Sequence, residues 1–104
     1  MTIAELFALL KSTGYPVSFS HFKNQTPSIP YIIYTTPSDS ISHADNTNYF
    51  KMIDVDIELY TDKKDLQAEE TIENLLDENG ITYTPYQVFI ESEGLHMKTY
   101  EIRI

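Results

Sequence analysis

No cysteine and no tryptophan occur in this chain of 104 residues, glycine appears 3 times, and Lys and Arg together number 7 against 16 Asp and Glu. Without cysteine there are no disulfides and no thiolate metal sites, and the usual staple of small secreted domains is missing. The shortage of basic residues leaves a formal net charge of −9 (7 − 16). Such a charge argues against attraction to DNA, RNA or anionic lipid, because phosphate binding is driven by Lys and Arg. No apolar run approaches the roughly 20 residues of a membrane span. The opening Met1-Thr2-Ile3-Ala4-Glu5 has neither a basic region nor a cleavable apolar stretch, so no signal peptide is expected. Gly14, Gly80 and Gly94 stand too far apart to build a phosphate-cradling loop. No serine lies in a Gly-x-Ser-x-Gly elbow. The expectation is a soluble, intracellular protein that is not an enzyme, with no catalytic residue, no cofactor and no resident metal.

What is present suffices for a packed core: 41% of residues are hydrophobic and 12% aromatic. At this length a single domain over 1–104 is expected, with only about two-thirds of its unfolded surface buried, so partners would add stability. Thr2-Ile3-Ala4-Glu5 fits a capping box, and Ile3, Leu6, Phe7 and Leu10 recur on one helical stripe. Gly14 and Pro16 then stop that helix, predicted over about 2–12. Val17 to His21 alternates as a short strand. Tyr31 to Thr36 is a second strand whose apolar run suggests burial on both faces. Pro37 to Asn48 is loop chemistry, longer than a hairpin turn, and long loops of this kind are commonly functional. Within it Ile41, His43, Asp45 and Asn46 are candidates for a mobile assembly loop that orders against a neighbour.

Tyr49 to Thr61 carries the cleanest alternation. Ile53, Val55, Ile57 and Leu59 point one way, and Asp54, Asp56, Glu58 and Tyr60 the other. At about 3.3 Å per residue such a strand runs roughly 43 Å, so a bend or bulge is expected. A second helix over about 65–79 follows, with Leu66, Ala68, Ile72, Leu75, Leu76 and Asn79 as its stripe. Glu69, Glu70, Glu73, Asp77 and Glu78 fall outside that stripe, and Gly80 ends the helix. Ile81 to Glu91 and Leu95 to Ile104, joined by Ser92-Glu93-Gly94, read as a terminal hairpin. The order is α-β-β-β-α-β-β. That predicts an α+β domain with a largely antiparallel sheet of about five strands and two helices packed on one face.

Three carboxylates on one strand face, Asp54, Asp56 and Glu58, are the sharpest chemical cluster. Alternate strand residues lie about 7 Å apart, near enough for two to share Mg²⁺, as in a metal-dependent nuclease. The same periodicity is what any half-buried strand shows, and a solvated or subunit-facing surface accounts for it without metal. His21, His43 and His96 fall in separate segments; a site joining His43 and Asp45 has no supporting local motif. The helix carboxylates read as a solvated face or an acidic docking face. The 8 tyrosines suit either strands or interfaces.

The stretch Ile57-Glu58-Leu59-Tyr60-Thr61-Asp62-Lys63-Lys64-Asp65, continuing through Ala68-Glu69-Glu70-Thr71-Ile72-Glu73-Asn74-Leu75-Leu76, resembles small tail-completion proteins of bacteriophages and prophages of Gram-positive bacteria. Ala44-Asp45-Asn46-Thr47-Asn48-Tyr49 before it, Gly80-Ile81-Thr82-Tyr83 after it and the closing Tyr100-Glu101-Ile102 extend the resemblance. So do the opening Ile-x-x-Leu helix and the segment Pro27 to Ile32. The resemblance implies a virion structural protein: a tail terminator, an α+β domain assembling as a ring, commonly hexameric, that caps the tail tube and meets the head connector. It carries over no catalytic residues. On that view Asp54, Asp56, Glu58 and Tyr60 line an interface or a lumen through which DNA passes without sticking, and no membrane is involved. Two other readings stay open, a small acidic adaptor or DNA mimic acting as monomer or dimer, and a small metal-dependent nuclease.

Overall fold

A computed structural model describes residues 1–37, 41–43 and 51–104. Helix α1 (Ile3–Lys11) begins at the expected capping box. The Thr2 hydroxyl accepts from the Glu5 amide at 3.0 Å, and the Glu5 carboxylate accepts from the Thr2 amide at 2.8 Å. Strands β1 (Val17–Phe19) and β2 (Tyr31–Thr35) follow, then a three-residue strand β3 (Ile41–His43) and the long β4 (Lys51–Thr61). Helix α2 (Leu66–Glu78), β5 (Tyr83–Ile90) and β6 (Leu95–Arg103) complete the chain.

The main sheet runs β1-β2-β4-β6-β5, antiparallel except for the parallel β1–β2 pair. This is the α+β class, with the expected order α-β-β-β-α-β-β in the five-stranded sheet. One correction belongs to the stretch 37–48, expected to be loop throughout. Ile41–His43 pairs antiparallel with Lys51–Ile53, extending the β4 ladder beyond the end of β2. A long strand with free backbone groups past its neighbour's end recruits whatever chain lies alongside. Asp45 and Asn46 lie outside the described residues.

Register explains the layering. Leu59, Ile57 and Val55 of β4 stand beside Ile32, Tyr34, Tyr100 and Ile102 on one face of the sheet. Leu6 and Leu10 of α1 and Ala68, Ile72 and Leu76 of α2 pack into that same cluster, so both helices cover one face. Helix α2 starts at Asp65, whose carboxylate accepts from the Ala68 amide at 3.0 Å. It ends in a Schellman turn, in which Ile81 N–H donates to Leu76 C=O at 2.9 Å, Gly80 N–H donates to Asp77 C=O at 3.1 Å, and Gly80 takes φ +68°. Ile81 then packs on the core, which fixes the entry into β5.

Two parts of the α2 stripe differ from expectation. At the two ends of the stripe, Leu66 in the first turn is 68% exposed and Asn79, the C-cap residue, is exposed as well. Glu69, expected outside, is buried, held by Lys64 at 3.0 Å and Lys98 at 3.3 Å. Glu73 also turns inward and accepts from the Tyr100 hydroxyl. Periodicity of apolar residues alone does not register a lysine stem or a tyrosine hydroxyl waiting on the neighbouring strand. The run Tyr31 to Thr36, expected to be buried on both faces, has Tyr31, Ile32 and Tyr34 buried and Ile33, Thr35 and Thr36 half-buried.

Candidate functional site: the sheet face away from the helices

Strand alternation puts Asp54, Asp56, Glu58 and Tyr60 on the face that neither helix covers. The β4–β6 register sets Asp54 opposite Arg103, Asp56 opposite Glu101, Glu58 opposite Thr99 and Tyr60 opposite Met97. On the far side of β6, Thr84 stands opposite Glu101 and Tyr86 opposite Thr99. On the near side Tyr31 stands opposite Tyr60 and Ile33 opposite Glu58. The face is therefore acidic in its middle rows and aromatic or apolar toward β2 and the hairpin end.

Individual contacts set its electrostatics. Arg103 Nε donates to Asp54 Oδ1 at 2.7 Å. The Tyr60 hydroxyl donates to Glu58 Oε1 at 2.9 Å, and its ring stacks on Tyr31 at 4.9 Å and 15° between planes. Phe22 meets the Tyr31 ring edge-on at 5.5 Å, closing that end of the face.

Burial pushes the Asp56 carboxyl above its ordinary range, and the negative charges of Glu101 and Asp54 push it further. Burial likewise raises Glu58, with Asp56 adding to the effect and the Tyr60 hydrogen bond opposing it. Tyr60 is pushed up in turn, first by burial and then by its bond to Glu58. Thr99 lies at the centre, fully buried, and its hydroxyl oxygen has no hydrogen-bond partner among the described residues.

Asp54, Asp56, Thr84, Glu101, Arg103 and Met52 line part of an open groove of about 800 Å³ at the β4 start of this face. Among the described residues, no three His, Cys, Asp or Glu side chains converge as metal ligands. His21 is exposed with Nδ1 3.4 Å from the Ser20 hydroxyl. His96 sits in the hairpin against Phe89, its Nδ1 3.4 Å from the Gln87 amide. Those two histidines stand in different parts of the fold, and Ile41 and His43 contribute strand backbone in β3.

Glu101, Thr99 and Tyr86 belong to the site although no local motif marks them. The signal available in the sequence is the alternation of Leu95 to Ile104, which puts Thr99 and Glu101 on one face without saying which strand lies alongside. No protein-family model matches the chain, and no curated protein sequence does either.

Proposed function

We propose that this chain is a virion structural protein, a tail terminator or tail-completion protein that forms a ring at the head-proximal end of a long phage tail. The observation that carries this reading is the state of the two sheet edges. Edge strand β1 exposes Phe19 (47%), and edge strand β5 exposes Tyr86, Val88 and Phe89 (50% for the last). Edge strands with uncovered aromatic and aliphatic side chains invite pairing with another chain. Two unlike edges on one subunit suit a head-to-tail contact, and such contacts close into rings when the rotation allows. The resemblance of Ile57 to Leu76 to tail-completion proteins supports the same reading. That stretch is the end of β4, the turn and most of α2, the central strand-to-helix unit of the fold.

In this proposal the ring caps the tail tube, meets the head connector, belongs to the virion and takes no cofactor. A net charge of −9 keeps DNA passing through from adhering. Light scattering coupled to gel filtration, run across protein concentration and with isolated tail tubes, tests it. The expected result is a species near six times 12.0 kDa, or association with the tubes. Val88→Lys and Phe89→Lys should abolish either one while leaving the monomer folded. A monomer at every concentration that also ignores tail tubes would overturn the proposal in favour of a monomeric acidic adaptor.

A further inference from the structure

Asn79 and Gly80 form the only Asn-Gly pair of the chain, and they close α2. Asparagine is chemically labile, most of all before glycine, which has no Cβ to shield its nitrogen from the preceding side-chain amide. Asn79 is exposed and lines the open groove together with Gly80, Ile81 and Thr82, so water reaches the amide. A Cβ built on Gly80 meets nothing within 4 Å, so no neighbouring group crowds the pair from that side.

Three features of the folded turn nevertheless keep the two groups apart. Asn79 Nδ2 donates to Leu75 C=O at 2.8 Å, which ties the side chain back along the helix. Gly80 N–H donates to Asp77 C=O at 3.1 Å, so its nitrogen is engaged. Asn79 takes ψ 9°, which turns the Gly80 nitrogen away from Cβ, whereas closing a five-membered ring requires the two to eclipse.

We propose that Asn79 is a deamidation site gated by the Schellman turn, closed in the folded chain and opened when the end of α2 frays. Helix ends are where local opening costs least. In the open form the Gly80 nitrogen bonds to Asn79 Cγ, and the Cγ–Nδ2 bond breaks. The Gly80 amide proton leaves with Nδ2 as ammonia, and a succinimide ring remains. Water then adds to either ring carbonyl, giving aspartate, or isoaspartate with the backbone rerouted through Cγ. Water is the sole co-reactant, and nothing is oxidised or reduced.

Both products place a carboxylate at the C-terminal end of α2, where the helix dipole favours cations and the last turn has no basic residue. Isoaspartate also adds one backbone carbon inside the turn, which upsets the spacing of the Gly80 and Ile81 hydrogen bonds. Ile81 then loses its hold on the core at the entry to β5. The inference rests on the end of α2 and does not depend on the edges closing a ring.

The full chain, incubated in mildly alkaline buffer with and without unfolding urea, tests the proposal by peptide mass spectrometry and an enzymatic isoaspartate assay. In urea the amide-to-acid mass gain should fall on Asn79 many-fold faster than on Asn74, which precedes the bulky Leu75. The folded chain should react at Asn79 at least about tenfold more slowly, and urea below the unfolding transition should raise that rate. Ile81→Ala, which loosens the anchor of the turn, should speed the folded reaction and leave the rate in unfolding urea unchanged. Gly80→Ala should slow the reaction in unfolding urea. No preference for Asn79 in unfolding urea would overturn the site. Equal rates in the folded and unfolded chains would overturn the gate, and so would a folded rate that ignores mild urea. The mild-urea measurement uses the unaltered chain, so it decides the gate even where Ile81→Ala does not fold.

Discussion

The hydroxyl of Tyr100, a fully buried residue of β6, donates to the carboxylate of Glu73 on α2 at 2.8 Å. This bond pins the helix over the sheet at a point where the ring also meets Tyr83 edge-on at 5.5 Å. The tyrosine is held well above its ordinary pKa, first by burial and then by the Glu73 bond, so it stays a donor throughout the usable pH range. Tyr100→Phe keeps the packing and removes the donor, leaving Glu73 without its partner. A loss of about 1.5–3 kcal/mol is expected, as for hydrogen bonds to charged groups. Chemical denaturation with an unchanged m-value is the check.

Glu69 depends on two lysines in unequal ways. Lys98 is 19% exposed in its side chain and Lys64 is 45% exposed, so Lys98 supplies the more shielded contact. Lys98→Met should destabilise by about 1–2 kcal/mol, less than the roughly 3–5 kcal/mol of breaking a fully buried pair, because Lys64 remains. Adding Glu69→Gln to that variant should restore part of the loss, since the uncompensated charge is then gone. A double-mutant cycle on urea midpoints measures the coupling.

Asp56 works against folding at neutral pH. Its carboxyl binds a proton more tightly in the folded chain than in the unfolded one, and so does that of Glu58. The sign follows: where the native state holds more protons, stability falls as pH rises. The loss therefore begins in the ordinary carboxylate range and is complete once the raised native values are passed. Asp56→Asn should raise stability at pH 7 by about 0.2–1 kcal/mol, the scale of opposed like charges on a sheet. The gain should vanish in acid, below the ordinary carboxylate range. Thermal melts of both proteins across pH decide this, and an equal gain at every pH would rule out the charge explanation.

Gly80 closes α2 with φ +68°, and a Cβ built there meets nothing within 4 Å. Gly80→Ala should therefore cost only the backbone term, about 1–2 kcal/mol for an L-residue in the left-handed region. A larger loss in denaturation would mean that the Schellman turn itself had opened and released Ile81 from the core.

Ile72, fully buried on α2, reports on the core that both helices share. Ile72→Ala should cost about 2–5 kcal/mol through lost burial and the cavity left behind. In a domain of this size that is a large share of the stability, so the variant should melt at a markedly lower temperature.

Local chemistry is legible in the amino-acid sequence. The Thr2–Glu5 capping box, the Asp65 start and Gly80 end of α2, and the alternation of Asp54 to Tyr60 are written in residues a few positions apart. Each depends on the backbone period or a cap, so the α+β class and the order of the two helices and the five main-sheet strands follow from the sequence alone, while the short strand Ile41–His43 does not. What only the tertiary structure decided is which strand stands beside which. The β4–β6 register brings Glu101 to Asp56, 45 residues apart by number (101 − 56), and seats Thr99 between Glu58 and Tyr86. Long-range pairing likewise turned Glu69 and Glu73 inward, because Lys98 and Tyr100 on β6 offered them a charge and a donor. Periodicity assigns a residue to a face; the partner across the strand, which sets whether a carboxylate is opposed, paired or buried, is fixed only when the sheet closes.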